Sequence, residues 1–252
     1  MTFLIVLLAL ILERFFHWHH WRYWRGCTLY ERAIGKRLGR YVLSPTLALL
    51  VIVIPPLLLI FLLSLGLRDV LGGLIFFVLN AVIVLYCLGS ENLWAEAKEG
   101  AQSSHGTHSE ALARAIFVAL HSRIFAVVFW FVLVGPIGAV LYRLVETTAK
   151  TGVKGADLAD RAKQVLDWLP IRLLTIFFAL AGHFSKVFVF WRHHVLDRPD
   201  TNRAFLTDCG LAALRVSGGD QSSESDVSEK TALALVDRAL IIGLVILAML
   251  FC

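Results

Sequence analysis

The chain has 252 residues, of which 58% are hydrophobic and 17% are charged. A water-soluble domain of this length needs more polar surface, so the composition excludes an ordinary soluble protein and indicates an integral membrane protein. The formal net charge of +5 favours contact with the anionic head groups of a lipid bilayer. The sequence contains no recognisable nucleic-acid-binding module, and we expect no nucleic-acid partner.

Apolar runs of bilayer length predict an all-α, polytopic membrane helix bundle with about six membrane helices. Thr2–Leu12 lacks the basic start and the cleavage site of a signal peptide, so we expect it to be retained as a helix. Tyr41–Leu67 and Val70–Ser90 are free of charge and predict a tight hairpin. The other predicted spans are Ile124–Tyr142, Leu173–Trp191 and Ala239–Cys252, the last extended toward Thr231.

The connections between these runs predict two further features. Arg143–Arg172 carries apolar residues at helical spacing, which indicates an interfacial amphipathic helix. Residues 192–230 include a Gly/Ser/Asp-rich stretch and predict a polar, partly mobile loop before the C-terminal helix. We expect residues 1–252 to form a single integral membrane domain.

The segment "HWHHWRYWR" (residues 17–25) is a weak candidate metal site. His17 and His20 are three residues apart, so on a helix they share a face and could bridge a divalent ion. The cluster holds no carboxylate or cysteine that would complete the coordination shell. The alternative, which we favour, is an aromatic and basic belt at the lipid head groups. We therefore predict neither a metal nor another cofactor.

Charged residues beside the apolar runs are candidate functional residues, because a charge inside a bilayer is costly unless it is paired. Arg123 precedes the predicted span Ile124–Tyr142 and Arg143 follows it. Arg172 stands at the start of the predicted span Leu173–Trp191. Each of these guanidinium groups either faces the interior of the bundle or reaches to the nearest interface.

Three stretches resemble the AmpE-type inner-membrane proteins of the beta-lactamase induction locus. They are "LLALILERFF" at the start, "HSRIFAVVFWFVLVGPIGAVLYRLVE" (121–146) and "VLDWLPIRLLTIFFALAGH" (165–183). The resemblance implies a multi-pass protein of the bacterial inner (plasma) membrane with a non-catalytic signalling role in beta-lactamase induction, the antibiotic response and cell-wall (muropeptide) recycling. It also implies a cell-wall recycling amidase, or another regulatory protein, as a partner.

The AmpE-type proteins are in turn similar to the CobD/CbiB family of cobinamide-phosphate synthases, which use ATP to form an amide. The matching residues are Phe129–Trp130, Gly135, Gly138–Ala139, Tyr142–Arg143, Arg161, Pro170 and Arg172–Leu173. The acidic motifs of the synthases fall on Val118–Arg123, Ala149 and Lys163–Gln164, where this chain has no carboxylate. Because ligation with ATP needs carboxylates to hold Mg²⁺, we predict that the ligase chemistry is lost.

We expect a ligand-binding or polar cluster that is formed by charged residues: Arg143, Glu146, Asp167, Arg172, Arg123 and Glu13. Two guanidinium groups suit a small anionic ligand such as a carboxylate or phosphate. The same residues could instead form a closed ion-pair cluster that holds helices together. The functional alternatives are an amide-forming enzyme on the synthase-like scaffold and a transporter or anchor subunit.

Overall fold

The computed structural model of the chain describes residues 4–9, 44–66, 73–88, 108–151, 155–214 and 229–251. All regular secondary structure within these ranges is helical, which confirms the predicted all-α fold. Glu13, His17 and His20 lie outside the described residues, so the predictions made for them stay predictions.

Residues 4–9 are helical. The longer helices follow in chain order and are labelled here: α1 Pro45–Gly66, α2 Leu74–Cys87, α3 His108–Leu120, α4 Ala126–Val134, α5 Pro136–Thr151, α6 Ala156–Ala181, α7 Phe184–His194, α8 Asn202–Leu214 and α9 Glu229–Phe251. A five-residue π-helical turn, His121–Phe125, joins α3 to α4. A short 3₁₀ turn, Pro199–Thr201, precedes α8.

Within the described part of the chain, four helical segments are long and apolar enough to cross a membrane. They are Pro45–Gly66, Glu110–Val134, Ala156–Ala181 and Thr231–Leu250. The protein is therefore a membrane protein, as the composition predicts. The apolar part of α2, Ile75–Cys87, lies within the predicted span Val70–Ser90, whose ends at 70–72 and 89–90 are outside the described residues.

The predicted span Ile124–Tyr142 has the wrong boundaries. The helical segment begins near Glu110 and ends at Val134. Gly135 then adopts a positive φ of 82°, a left-handed conformation that ends helices and that other residues adopt only with strain. Pro136 follows as the first residue of α5, where its missing N–H costs no hydrogen bond.

The structure also divides residues 143–191 differently from the prediction, which gave an interfacial helix Arg143–Arg172 followed by a span Leu173–Trp191. Their central part is one helix, α6, of 26 residues. The helix ends where Gly182 approaches another backbone, since an added Cβ there would lie 2.6 Å from the carbonyl oxygen of Ala213. The amide of His183 donates a hydrogen bond to the same oxygen at 3.3 Å.

The predicted loop 192–230 contains α8, which is a correction to that prediction. Phe205, Leu206, Cys209 and Leu211 of this helix are all buried. Burial around most of the helix removes the one-sided apolar pattern by which a surface helix is recognised. The Gly/Ser/Asp-rich stretch falls almost entirely on residues 215–228, which lie outside the described residues.

The chain divides into two compact units, and the predicted single membrane domain stays a prediction. The first unit comprises Met1–Ser90 and Ala126–Leu166, and the second comprises Glu91–Phe125 and Asp167–Cys252. In the first unit α5 packs against α1, α2 and α4. In the second unit α8 packs against α3 and α7, and α9 packs against α3.

The contact between α3 and α8 depends on Gly210. A Cβ at this position would lie 2.5 Å from two carbon atoms of the buried Phe117 ring. We expect Gly210→Ala to lower the free energy of unfolding in detergent by about 1–3 kcal/mol, because a rigid core must shift to accept the methyl group. Gly66→Ala is the matched control, since no atom of the described residues lies within 4 Å of its added Cβ. An equal loss in both variants would contradict this explanation.

Candidate functional site

In the first unit, Glu146 is a buried acid that contacts two cations of its own helix. Its Oε2 lies 2.5 Å from Nη1 of Arg143, and its Oε1 lies 3.0 Å from Nζ of Lys150. These residues are three and four positions away from Glu146 along α5, which places all of them on one helical face. Glu146 is 1% exposed and Arg143 is 8% exposed. Arg143 and Glu146, two residues of the predicted cluster, thus form an ion pair within one helix.

The corner between α4 and α5 determines where this ion-pair group lies. The amide of Gly138 donates a hydrogen bond to the carbonyl oxygen of Gly135 at 3.0 Å. An added Cβ at Gly138 would contact the carbonyl oxygen of Trp130 and lie 2.8 Å from Cβ of Val134. Only glycine fits this approach without a shift of the neighbouring backbone, so the glycines of the "GPIGAV" stretch position α5.

Glu146 makes the stability of the fold depend on pH in the acidic range. Burial opposes its ionisation, but Arg143, Lys150 and Lys163 outweigh burial and hold the pKa of the carboxyl below its ordinary value of 4.5. Since the pKa is lower in the folded state, the stabilisation is complete well above that ordinary value and is lost as pH falls through the folded-state pKa. We expect unfolding measurements between about pH 3 and pH 6 to show this loss. Glu146→Gln should flatten the acid side of the profile, and an unchanged profile would contradict this assignment.

In the second unit, His121 and Asp167 form a buried polar pair. Nε2 of His121 lies 3.0 Å from Oδ1 of Asp167, and the two side chains are 4% and 10% exposed. His121 begins the π-helical turn, in which Arg123 is also buried. Its other ring nitrogen, Nδ1, has no hydrogen-bond partner among the described residues. π-Helical turns are uncommon and often occur at functional positions.

Arg172 of α6 donates hydrogen bonds to several acceptors of the second unit. Its Nε donates to the carbonyl oxygen of Val195 at 3.0 Å, and its Nη2 donates to that of Asp197 at 3.1 Å. Its Nη1 donates to Oδ1 of Asn202 and to the carbonyl oxygen of Trp168. Arg172 therefore ties α6 to the turn that connects α7 with α8.

Two aromatic rings lie close to the same guanidinium group. The Cζ atom of Arg172 lies 4.7 Å from the ring centroid of Trp168 and 5.0 Å from that of Phe205. The indole nitrogen of Trp168 also donates to the carbonyl oxygen of Asp197 at 3.2 Å. The guanidinium therefore has two aromatic rings close to it and four hydrogen bonds to protein acceptors, against five N–H donors in all.

A half-exposed ion-pair group explains why charge is tolerated inside the segment Glu110–Val134. Nη1 of Arg114 lies 2.7 Å from Oδ1 of Asp208, and its Nη2 lies 3.1 Å from Oε1 of Glu110. Nη1 also donates to the hydroxyl of Thr207 at 3.0 Å. These contacts join α3 to α8.

The described residues of the predicted cluster divide between the two units. Arg143 and Glu146 pair in the first unit, whereas Asp167 and Arg172 of the second unit contact different partners. Sequence reasoning missed His121 and Asn202. His121 begins one of the stretches that carry the family resemblance, but that resemblance gives it no role. Asn202 falls in the segment that was predicted as a loop.

Comparisons with known proteins extend these observations. A family profile described as "Regulatory signalling modulator protein AmpE" matches residues 100–252, more than half of the chain. A "Cobalamin biosynthesis protein CobD" of Chromobacterium violaceum is 36% identical over 103 residues, which cover 38% of this chain and 33% of the relative. The CobD protein of Stutzerimonas stutzeri is 30% identical over 104 residues, which cover 38% of this chain and 34% of the relative.

The matched region thus spans only about a third of the length of these two curated relatives. No solved structure matches the chain significantly.

Proposed function

Because the chain belongs to the AmpE family of regulatory signalling modulators, we propose that this regulatory membrane protein acts in beta-lactamase induction and muropeptide recycling. We propose further that it is a multi-pass protein of the bacterial inner membrane. The family match over residues 100–252 carries this proposal. The matched region includes all of the polar groups described above.

We propose that these polar groups hold the helices in a signalling-competent arrangement. Arg172 supports this role, because an anionic ligand at its guanidinium would have to displace Asn202 and backbone acceptors. Arg143 contacts the carboxylate of Glu146, whose negative charge would repel an anionic ligand at the same guanidinium. The positions of the synthase acids hold Ala149 and Lys163–Gln164, which supports a non-catalytic protein. Binding of a small anionic ligand is the alternative.

The test is complementation in a host that carries an inducible beta-lactamase. The gene is deleted, wild-type or variant protein is supplied, and beta-lactamase activity is measured after a beta-lactam inducer and normalised to the amount of protein in the membrane. We expect deletion to alter induction and the wild-type protein to restore it. Arg172→Lys should reduce the amount of folded protein while preserving the response per folded molecule. Unaltered induction in the deletion strain would overturn the proposal.

The proposed partner is a cell-wall recycling amidase or another regulatory protein. Affinity purification of the full chain in a mild detergent, after cross-linking in cells, tests this interaction. The expected result is enrichment of one such protein with the wild-type chain over an unrelated membrane protein of equal abundance. The absence of any enriched recycling or regulatory protein would contradict the proposed partner.

A second candidate function is amide formation by a membrane-bound enzyme. The similarity of 36% over 103 residues to a cobalamin biosynthesis protein favours it. This candidate predicts that the chain restores cobalamin synthesis in a strain that lacks its cobinamide-phosphate synthase. Failure of a well-expressed chain to restore synthesis would exclude it.

A further inference from the structure

The segment that follows α6 is a separate short helix. The chain is extended at His183, with φ −86° and ψ 91°, and α7 then has 11 residues. A helix of this length measures about 16 Å, roughly half of the hydrocarbon thickness of a bilayer. The helix α7 is therefore too short to cross a membrane by itself.

One side of α7 packs inside the second unit. Val187 is fully buried, and the ring of Phe190 stacks against Phe205 of α8 with their centroids 6.0 Å apart. These contacts fix which side of α7 faces outward.

The outward side of α7 and the turn after it are strongly apolar. Phe184 and Phe188 are 50% and 45% exposed, Val189 is 58% exposed and Leu196 is 85% exposed. The rings of Phe184 and Phe188 stack with their centroids 5.3 Å apart, and Phe188 stacks on Trp191 at 6.3 Å. Neighbouring exposed apolar side chains of this kind indicate a surface that contacts lipid or another molecule.

Basic side chains border this apolar patch. Lys186, Arg192 and Arg198 are all exposed. The acid of the same segment, Asp197, lies 2.9 Å from Nδ1 of His194. The segment 184–198 therefore combines exposed aromatic and aliphatic groups with an excess of positive charge, which is typical of helices that lie in the head-group region of an anionic membrane.

We propose that residues 184–198 form a docking surface for anionic phospholipid, with α7 lying along the membrane interface. The aromatic and aliphatic side chains enter the boundary between head groups and acyl chains, and Lys186, Arg192 and Arg198 contact lipid phosphates. Charge complementarity and the short length of α7 both favour anionic phospholipid as the partner. This surface does not depend on the signalling role proposed above.

The first test measures the binding of phosphatidylglycerol and phosphatidylcholine to the full chain in detergent by native mass spectrometry. We expect the wild-type chain to retain phosphatidylglycerol preferentially, and Arg192→Gln to bind it about fivefold more weakly. Arg161→Gln is the matched control, because Arg161 is an exposed helical arginine outside this segment. Equal effects of the two substitutions, or no preference for phosphatidylglycerol, would overturn the proposal.

The second test distinguishes a helix that lies along the interface from one that descends into the bilayer. Tryptophan quenching is measured with lipids brominated near the head group or near the chain end, and the signal of Trp191→Phe is subtracted as background. Trp191 in the wild-type chain is then compared with Phe184→Trp in the Trp191→Phe variant. We expect both positions to be quenched most by bromine near the head group. Quenching of position 184 mainly by deep bromine would overturn the proposal, because seven residues of a descending helix differ in depth by about 10 Å.

Discussion

Replacing Arg172 by alanine is expected to lower the free energy of unfolding by about 3–5 kcal/mol. The substitution removes the donor to the carbonyl oxygen of Val195 and the contact with the side chain of Asn202. The carbonyl oxygen of Asp197 loses one of two donors and keeps the indole N–H of Trp168. It also removes the cation that contacts the rings of Trp168 and Phe205. Thermal or denaturant unfolding of the purified chain in detergent measures the change.

Two variants make this result specific. Arg161→Ala removes the same side chain from an exposed position of α6 and should change stability by less than about 0.5 kcal/mol. Arg172→Lys keeps the charge but lacks the planar, multidentate donor, so it should recover only part of the loss. If Arg172→Ala is no worse than Arg161→Ala, Arg172 does not stabilise the fold in the way described.

Disruption of the His121–Asp167 pair is the second large effect that we expect. Both side chains are buried and face each other at 3.0 Å. His121→Ala and Asp167→Asn should each cost about 1–3 kcal/mol, since each alters a buried polar contact. In a double-mutant cycle, the two losses should fail to add by about 1–3 kcal/mol because the residues are in contact.

The cycle is measured by unfolding of the two single variants, the double variant and the wild-type chain in the same detergent. Asp157→Asn serves as the control partner for His121→Ala, because Asp157 is an exposed acid of the first turn of α6. The losses in this control cycle should add. Additive losses in the His121–Asp167 cycle would show that the two side chains do not stabilise each other.

The membrane character and α1 could be predicted from the sequence because they depend on apolar length alone. Tyr41–Leu67 contains no charge, and the observed α1 lies within it. The segment Glu110–Val134 could not be placed in this way, because Arg114 and Arg123 interrupt its hydropathy. Contacts of Arg114 with Asp208 and Thr207, distant in sequence, make its charge tolerable. Such neutralisation is a tertiary property that a search for charge-free runs does not detect.

The candidate site, too, could be predicted only in part from the sequence. Arg143 and Glu146 could be paired in advance because residues three apart share a helical face. His121 and Asp167 are 46 positions apart, and a π-helical turn changes the spacing on which helical patterns depend. The acceptors of Arg172 are mostly backbone carbonyl groups, which every residue carries and no sequence pattern reveals.

Those backbone acceptors have a consequence for sequence variation in the turn after α7. The oxygens that bind Arg172 at positions 195 and 197 belong to the main chain, so a change of side chain there leaves both hydrogen bonds available. Asn202 and Phe205 contribute through their side chains and lack this freedom. Natural or engineered diversity should therefore accumulate at positions 195 and 197, while Arg172 and the first turns of α8 change little.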